Sequence, residues 1–119
     1  MKTEYFDLKN KRALVSGGAS GIGSSIVEHL CEQGVEVYFF DINKNEAKKT
    51  INKIKKKKFK TPSFVECNIK NIKKYKSSIL NIIKKQGPID ILVNNASNDQ
   101  RHSLETVSYT HLRAHETCL

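Results

Sequence analysis

The 119 residues, 38% hydrophobic and 28% charged, suffice for one modest domain around one apolar core and exclude a disordered chain. Lysine drives a net charge of +9, and no apolar run approaches the roughly 18 residues of a membrane span, so no membrane partner is expected. The opening MKTEYFDLKNKR lacks the apolar stretch of a secretory signal, and three cysteines without a C-x-x-C argue against a disulfide frame or a zinc site, so the expected setting is cytoplasmic with no metal ligands.

Taken in order, Lys11 to Ser16 (KRALVS) is predicted as a short strand that runs into a glycine loop. Gly21 to Gly34 turns helical, with Ile22, Ile26, Val27, Leu30 and Cys31 at three- and four-residue steps and Gly34 where a C-terminal glycine belongs. Cys31, four residues after Val27, is expected to pack as a small apolar group. His29 is expected on the outer, solvated face. Val35 to Asp41 (VEVYFFD) is β-branched and aromatic and reads as a second buried strand ending on an acid. Asn43 can cap a helix from Lys44 to about Lys56. Pro62 to Cys67 is a third strand, and Asn71 can cap a helix carrying Ile72, Tyr75, Ile79, Ile82 and Ile83 on one face until Gly87-Pro88 breaks it. Ile89 to Asn95 is nearly continuous in apolar residues, as in a parallel strand covered on both faces. The alternation of strand and helix predicts an α/β fold, a doubly wound parallel sheet of Rossmann type truncated after the fourth strand.

The loop SGGASGIG spaces Gly17, Gly21 and Gly23 as G-x-x-x-G-x-G between a strand and a helix. Gly17 can turn the chain off the strand, Gly21 lets backbone approach a pyrophosphate, and Gly23 lets the helix pack on the sheet. The amides and dipole of the helix start then favour phosphate charge. Asp41, at the end of the second strand, is the acid expected to bond a ribose 2′-hydroxyl. It would repel a 2′-phosphate. Ser20 agrees, since no lysine or arginine stands in the loop, so NAD is expected over NADP.

Together these segments resemble the short-chain dehydrogenase/reductase family over residues 6 to about 105. FDLKNKRALVSGGASGIG is similar to its first strand and cofactor loop, with Ser16-Gly17 for the usual T-G, and ILVNNAS to its N-N-A-G motif, with Ser97 for glycine. The resemblance implies a nicotinamide-dependent oxidoreductase acting on a small-molecule alcohol or carbonyl, in a homo-oligomer. Carried over by position, the cofactor contacts are Gly17, Ser20, Gly21, Ile22 (through its amide), Gly23, Asp41, Asn68, Asn94 and Ala96. Asn68 stands where the family has an aspartate for the adenine amino group; its side-chain carbonyl can still accept a hydrogen bond. Asn98 to Glu105 (NDQRHSLE) resembles a sub-group that includes sugar dehydrogenases, in which Arg101 and His102 would meet polar substrate groups; a solvated polar loop is the alternative. The family's catalytic serine, asparagine, tyrosine and lysine lie downstream of N-N-A-G, beyond residue 119. No catalytic residue is therefore assigned in this chain, and Tyr109 is followed four residues on by Arg113 rather than lysine.

From Val107 to Thr117 the chain reads VSYTHLRAHET, which resembles the translation of a transposase-end sequencing adapter in one frame, and residues 106–119 contain no lysine in a lysine-rich chain. The expected organisation is a dinucleotide-binding half-domain over 1–105 and a non-native tail over 106–119, with no activity in this stretch alone. Two other readings stay open: a dinucleotide-binding module without catalysis, and a basic nucleic-acid binder using KIKKKKFK (Lys53 to Lys60). That run has no interleaved aromatic stack and no arginine, so it is read as a solvated helix end and no nucleic-acid partner is expected.

Overall fold

The computed structural model describes residues 8–95 and, as backbone, residues 117–118. Four main strands and three helices alternate: β1 (Arg12–Ser16), α1 (Gly21–Glu32), β2 (Glu36–Asp41), α2 (Lys44–Lys56), β3 (Ser63–Glu66), α3 (Ile72–Gln86) and β4 (Ile91–Asn94), followed by the two-residue β5 (Thr117–Cys118). All pair in parallel in one sheet of order β3-β2-β1-β4-β5. The four main strands and their interleaved helices are as expected. β5, from the segment read as a tail, lies beside Ile91 and Leu92. Extended backbone of any origin can satisfy the unpaired amides and carbonyls along an open strand.

Side chains alternate along β1, β2 and β4 and are largely buried on both faces of the sheet, while the edge strand β3 is only partly covered. Ala13, Val15, Val37, Phe39, Ile91 and Val93 face α1 and α2, whose Val27, Leu30, Cys31, Ala47 and Ile54 complete one core. Leu14, Phe40 and Leu92 face α3, where Tyr75, Ile79 and Ile82 complete the other. Burial pushes the Cys31 thiol up to about 12, as suits an inert packing group. Tyr75 meets Phe40 edge-on, with ring centroids 5.3 Å apart, and burial pushes its phenol up.

The helix ends follow their sequence signals. Asn43 and Asn71 accept from the amides of Glu46 and Lys74 at 3.1 and 3.2 Å. Gly34 (φ +83°) closes α1, as its amide bonds Cys31 and that of Val35 bonds Leu30. The lysine run is the exposed end of α2, turned by Lys58 (φ +62°). Two of its cations are used within the fold: Lys53 (3.3 Å) and Lys57 both pair with Glu28 of α1. At the amino ends of the strands, Arg12 bonds Glu36 at 3.1 Å and the Pro88 carbonyl at 2.9 Å, and the Tyr38 hydroxyl donates to Glu36 at 2.6 Å. Burial alone would raise the Glu36 pKa, but the bonds from Tyr38 and Arg12 hold it below the usual carboxylate value.

Three expectations are corrected. Ile22 is 74% exposed instead of lining the core; Gly23 and Ser24 take the buried places in that turn. Ile72 is 37% exposed, at the first turn of α3. β4 is also shorter than its apolar stretch. The Arg12 amide donates to the Asp90 side chain at 2.9 Å, so a carboxylate replaces a ladder carbonyl there and regular pairing begins at Ile91.

Two measurements on the folded protein test this packing. The Tyr75 hydroxyl is buried and meets no hydrogen-bond partner among the described residues. Tyr75→Phe is expected to raise stability by about 1 kcal/mol, read as a higher urea midpoint at unchanged slope. Glu28 is held below its ordinary pKa of 4.5, first by the hydrogen bond from Lys57 and then by Lys53. Its contribution is present above that pH and is lost as pH falls through the lowered value. Glu28→Gln is expected to flatten the acid side of the stability–pH curve and leave its alkaline side unchanged.

Candidate functional site

At the carboxyl ends of the strands, β1 stops at Ser16 and the chain turns through Gly17 (φ +70°). The amide of Gly17 donates to the Phe40 carbonyl at 2.7 Å, so the turn stays tied to β2. Gly21 also has a positive φ, +61°, and a Cβ there would meet nothing within 4 Å, so its outer face is open. Gly23 is the opposite case. A Cβ would lie 1.9 Å from the Gly17 carbonyl oxygen and 2.6 Å from Nδ2 of Asn95. The first turn of α1 therefore rests directly on the turn that ends β1.

The start of α1 suits an anion. The leading amides of a helix have no intrahelical partners and carry the positive end of its dipole. Ser20, at the cap position, makes no side-chain cap bond, and no acidic residue stands in the first turn. The exposed Ile22 side chain stands beside this opening.

Asp41 ends β2 next to the same loop. Its Oδ2 accepts the Ala19 amide at 3.0 Å and its Oδ1 accepts the Asn43 amide at 2.9 Å. A carboxylate oxygen can accept more than one bond, so acceptor capacity remains. Ile42, next in the chain, is 65% exposed. Asn68 lies just past β3; its Oδ1 accepts the Lys70 amide at 3.0 Å, which fixes the side chain in a local turn.

On the other side of β1, Asn94 ends β4 opposite Ser16. The Ser16 hydroxyl is 3.5 Å from Oδ1 of Asn94 and accepts the Asn95 amide at 3.2 Å. The Asn95 side chain donates to the Gly17 carbonyl at 3.0 Å. Gly17, Ser20, Gly21, Ile22, Gly23, Asp41, Asn68 and Asn94 thus gather at one end of the sheet. Ala96, Arg101, His102 and Tyr109 lie outside the described residues. The strand order reverses between β1 and β4 because β2 and β3 lie to one side of β1 and β4 to the other. In open α/β sheets that reversal marks the crevice for ligands.

The chain matches the sequence model of the short chain dehydrogenase family over residues 11–115. It belongs to this family. Its relatives include a probable galactose dehydrogenase, GalD, of Rhizobium meliloti, 32% identical over 106 residues that cover 89% of this chain and 41% of the relative. D-xylose 1-dehydrogenase of Caulobacter vibrioides is 35% identical over 104 residues, covering 87% and 40%. L-Sorbose reductase of Gluconobacter frateurii, solved with NADPH and L-sorbose, shares the fold with a TM-score of 0.67 at 23% identity, over 76% of this chain and 34% of that one. The chain therefore spans about two-fifths of the length of the curated relatives named here. The family uses nicotinamide dinucleotides, and the loop and helix end fit one: the backbone at Gly21 is open, the helix start is uncapped, and an acid stands beside both.

Two residues that shape this site carry no signal of their own in the sequence. Asn95 bridges β4 to the glycine turn. Thr50 of α2 donates its hydroxyl to the Ala19 carbonyl at 2.7 Å. Asn95 is legible only as part of N-N-A-S; Thr50 looks like an ordinary buried helix position.

The close approach at Gly23 sets a test. Gly23→Ala places a methyl inside the Gly17 carbonyl, so α1 must lift from the turn. The substitution is expected to cost more than about 2 kcal/mol of stability by urea titration and to abolish dinucleotide binding.

Proposed function

We propose that the protein carrying this chain is an oxidoreductase that transfers hydride between NAD(H) and a polar alcohol or carbonyl, with a sugar as the substrate class. The observation that carries this reading is the uncapped start of α1 lying on the glycine turn, with the Asp41 carboxylate bonded to the same loop. The nicotinamide, when bound, accepts or donates the hydride. The residues of this chain hold and orient the dinucleotide. The Ile22 amide and its neighbours at Gly21 and Gly23 face the pyrophosphate, with Gly17 and Ser20 shaping the approach. Asp41 accepts from the adenosine ribose hydroxyls, and its charge disfavours a 2′-phosphate, which supports NAD over NADP. Asn68 accepts from the adenine amino group, while Asn94 and Ala96 border the adenosine half.

Two relatives are named as sugar dehydrogenases, which supports the substrate class. Arg101 and His102 would bond the substrate's hydroxyls. The family's catalytic tyrosine and lysine are expected beyond this stretch, so residues 1–119 alone are proposed to lack turnover, and 106–119 to be foreign to the natural protein. The whole protein is proposed to be a cytoplasmic homo-oligomer.

Reading the gene in source DNA onward from the codon of Glu105 supplies the chain for the test. A continuation into the family's serine and Y-x-x-x-K supports the reading, and a natural VSYTHLRAHETCL ending removes the tail proposal. The full-length product is then titrated with NADH and NADPH by fluorescence and assayed for oxidation of galactose and xylose with NAD. Binding of NADH at least about tenfold tighter than NADPH is expected, corresponding to roughly 1.4 kcal/mol. Equal affinities would remove the role given to Asp41. Tight dinucleotide binding with no turnover of any sugar would favour a binding module instead.

A further inference from the structure

The proposed function leaves Ala19 and Thr50 without a role, yet their contact is among the most buried polar ones at the site. Ala19 is 1% exposed and Thr50 4% exposed. The Ala19 residue is held from both sides: its amide by Oδ2 of Asp41 at 3.0 Å, its carbonyl by the Thr50 hydroxyl at 2.7 Å. The Ala19 carbonyl shares a planar peptide with the Ser20 amide. That peptide is trans, so the two groups point in opposite directions. With the carbonyl turned toward α2, the Ser20 amide is turned away from it. Ser20 is exposed and leads directly into Gly21 and the open helix start.

We propose that Thr50 is a positioning residue for dinucleotide affinity: from α2 it fixes the Ala19–Ser20 peptide and so aims the loop's backbone donors at the ligand. The same residue pair links the two halves of recognition. Asp41, assigned to the ribose, and the loop, assigned to the phosphates, both close on Ala19. A loop already held in place spends less of the binding energy on its own ordering. Without the hydroxyl, the buried carbonyl loses its partner and the peptide is no longer held in one orientation.

This inference rests on the dinucleotide reading, and one experiment separates the two. The full-length protein, Thr50→Val, Thr50→Ala and Thr50→Ser are titrated with NADH by calorimetry, and each is also melted without ligand. Valine keeps the shape and removes the hydroxyl; alanine removes it without adding a methyl against the carbonyl; serine restores it. The valine variant, or alanine if valine does not fold, is expected to bind NADH roughly tenfold more weakly. Serine is expected within about twofold of the natural protein. Affinity lost with valine or alanine and regained with serine supports the positioning role. NADH affinity unchanged in valine or alanine, whatever the shift in Tm, overturns it, as does serine binding as weakly as alanine. If the unaltered protein binds no dinucleotide, the proposed function falls and this inference with it.

Discussion

The end of the central strand is tied to both of its neighbours, and the site depends on that double attachment. β1 loses its regular ladder at Ser16. Gly17 then donates to Phe40 of β2, while its carbonyl and the Ser16 hydroxyl receive Asn95 from beyond β4. A turn held from two sides can carry a helix start in a fixed place. Gly23 brings α1 close enough that only hydrogen fits between it and the Gly17 carbonyl. The open helix end is thus a consequence of strand pairing on either side of β1, not of the glycine loop alone.

The two ends of the sheet are built differently. At the amino ends, Arg12, Glu36 and Tyr38 form a satisfied charged cluster whose bonds run among themselves and to the Pro88 carbonyl. Burial, with Glu36 beside it, pushes the Tyr38 phenol up to about 12, so its hydroxyl stays a hydrogen-bond donor to Glu36. At the carboxyl ends, the polar groups instead hold backbone and keep acceptor capacity. Asp41 uses its oxygens for two amides, and Ser20 leaves the helix start open. The chemistry that locks strands together is thereby kept apart from the chemistry available to a ligand.

Much of this was legible in the sequence because local rules and the fold agree. Asn43, Asn71 and Gly34 stop or start helices where their side chains or backbone freedom require it, and the alternation of apolar segments gives the doubly wound sheet. The glycine spacing and Asp41 fall together at the carboxyl end of the sheet, as their order in the chain implies. What escaped was set by contacts distant in sequence. Ile22 fits the helical period of α1, but the first turn rests on the turn of β1 through Gly23, so the Ile22 side chain is left exposed rather than in the core. Asp90 reads as the start of a strand yet supplies a side-chain acceptor to Arg12, 78 residues away. Thr50 reaches Ala19 across 31 residues, and no periodicity within α2 marks that pairing.

The outer margin of the sheet at β3 has a consequence for solubility. The strand is only four residues long, and its outward residues Ser63 and Glu66 are exposed and polar. Lys60 and Thr61, both exposed, precede it by two or three residues, so a lysine charge stands near where a neighbouring molecule would begin to add a strand. Phe64 and Val65, the apolar pair between them, are partly covered by the cores on either face. A short strand with polar, charged residues at its ends is the pattern by which sheets discourage edge-to-edge pairing with another chain.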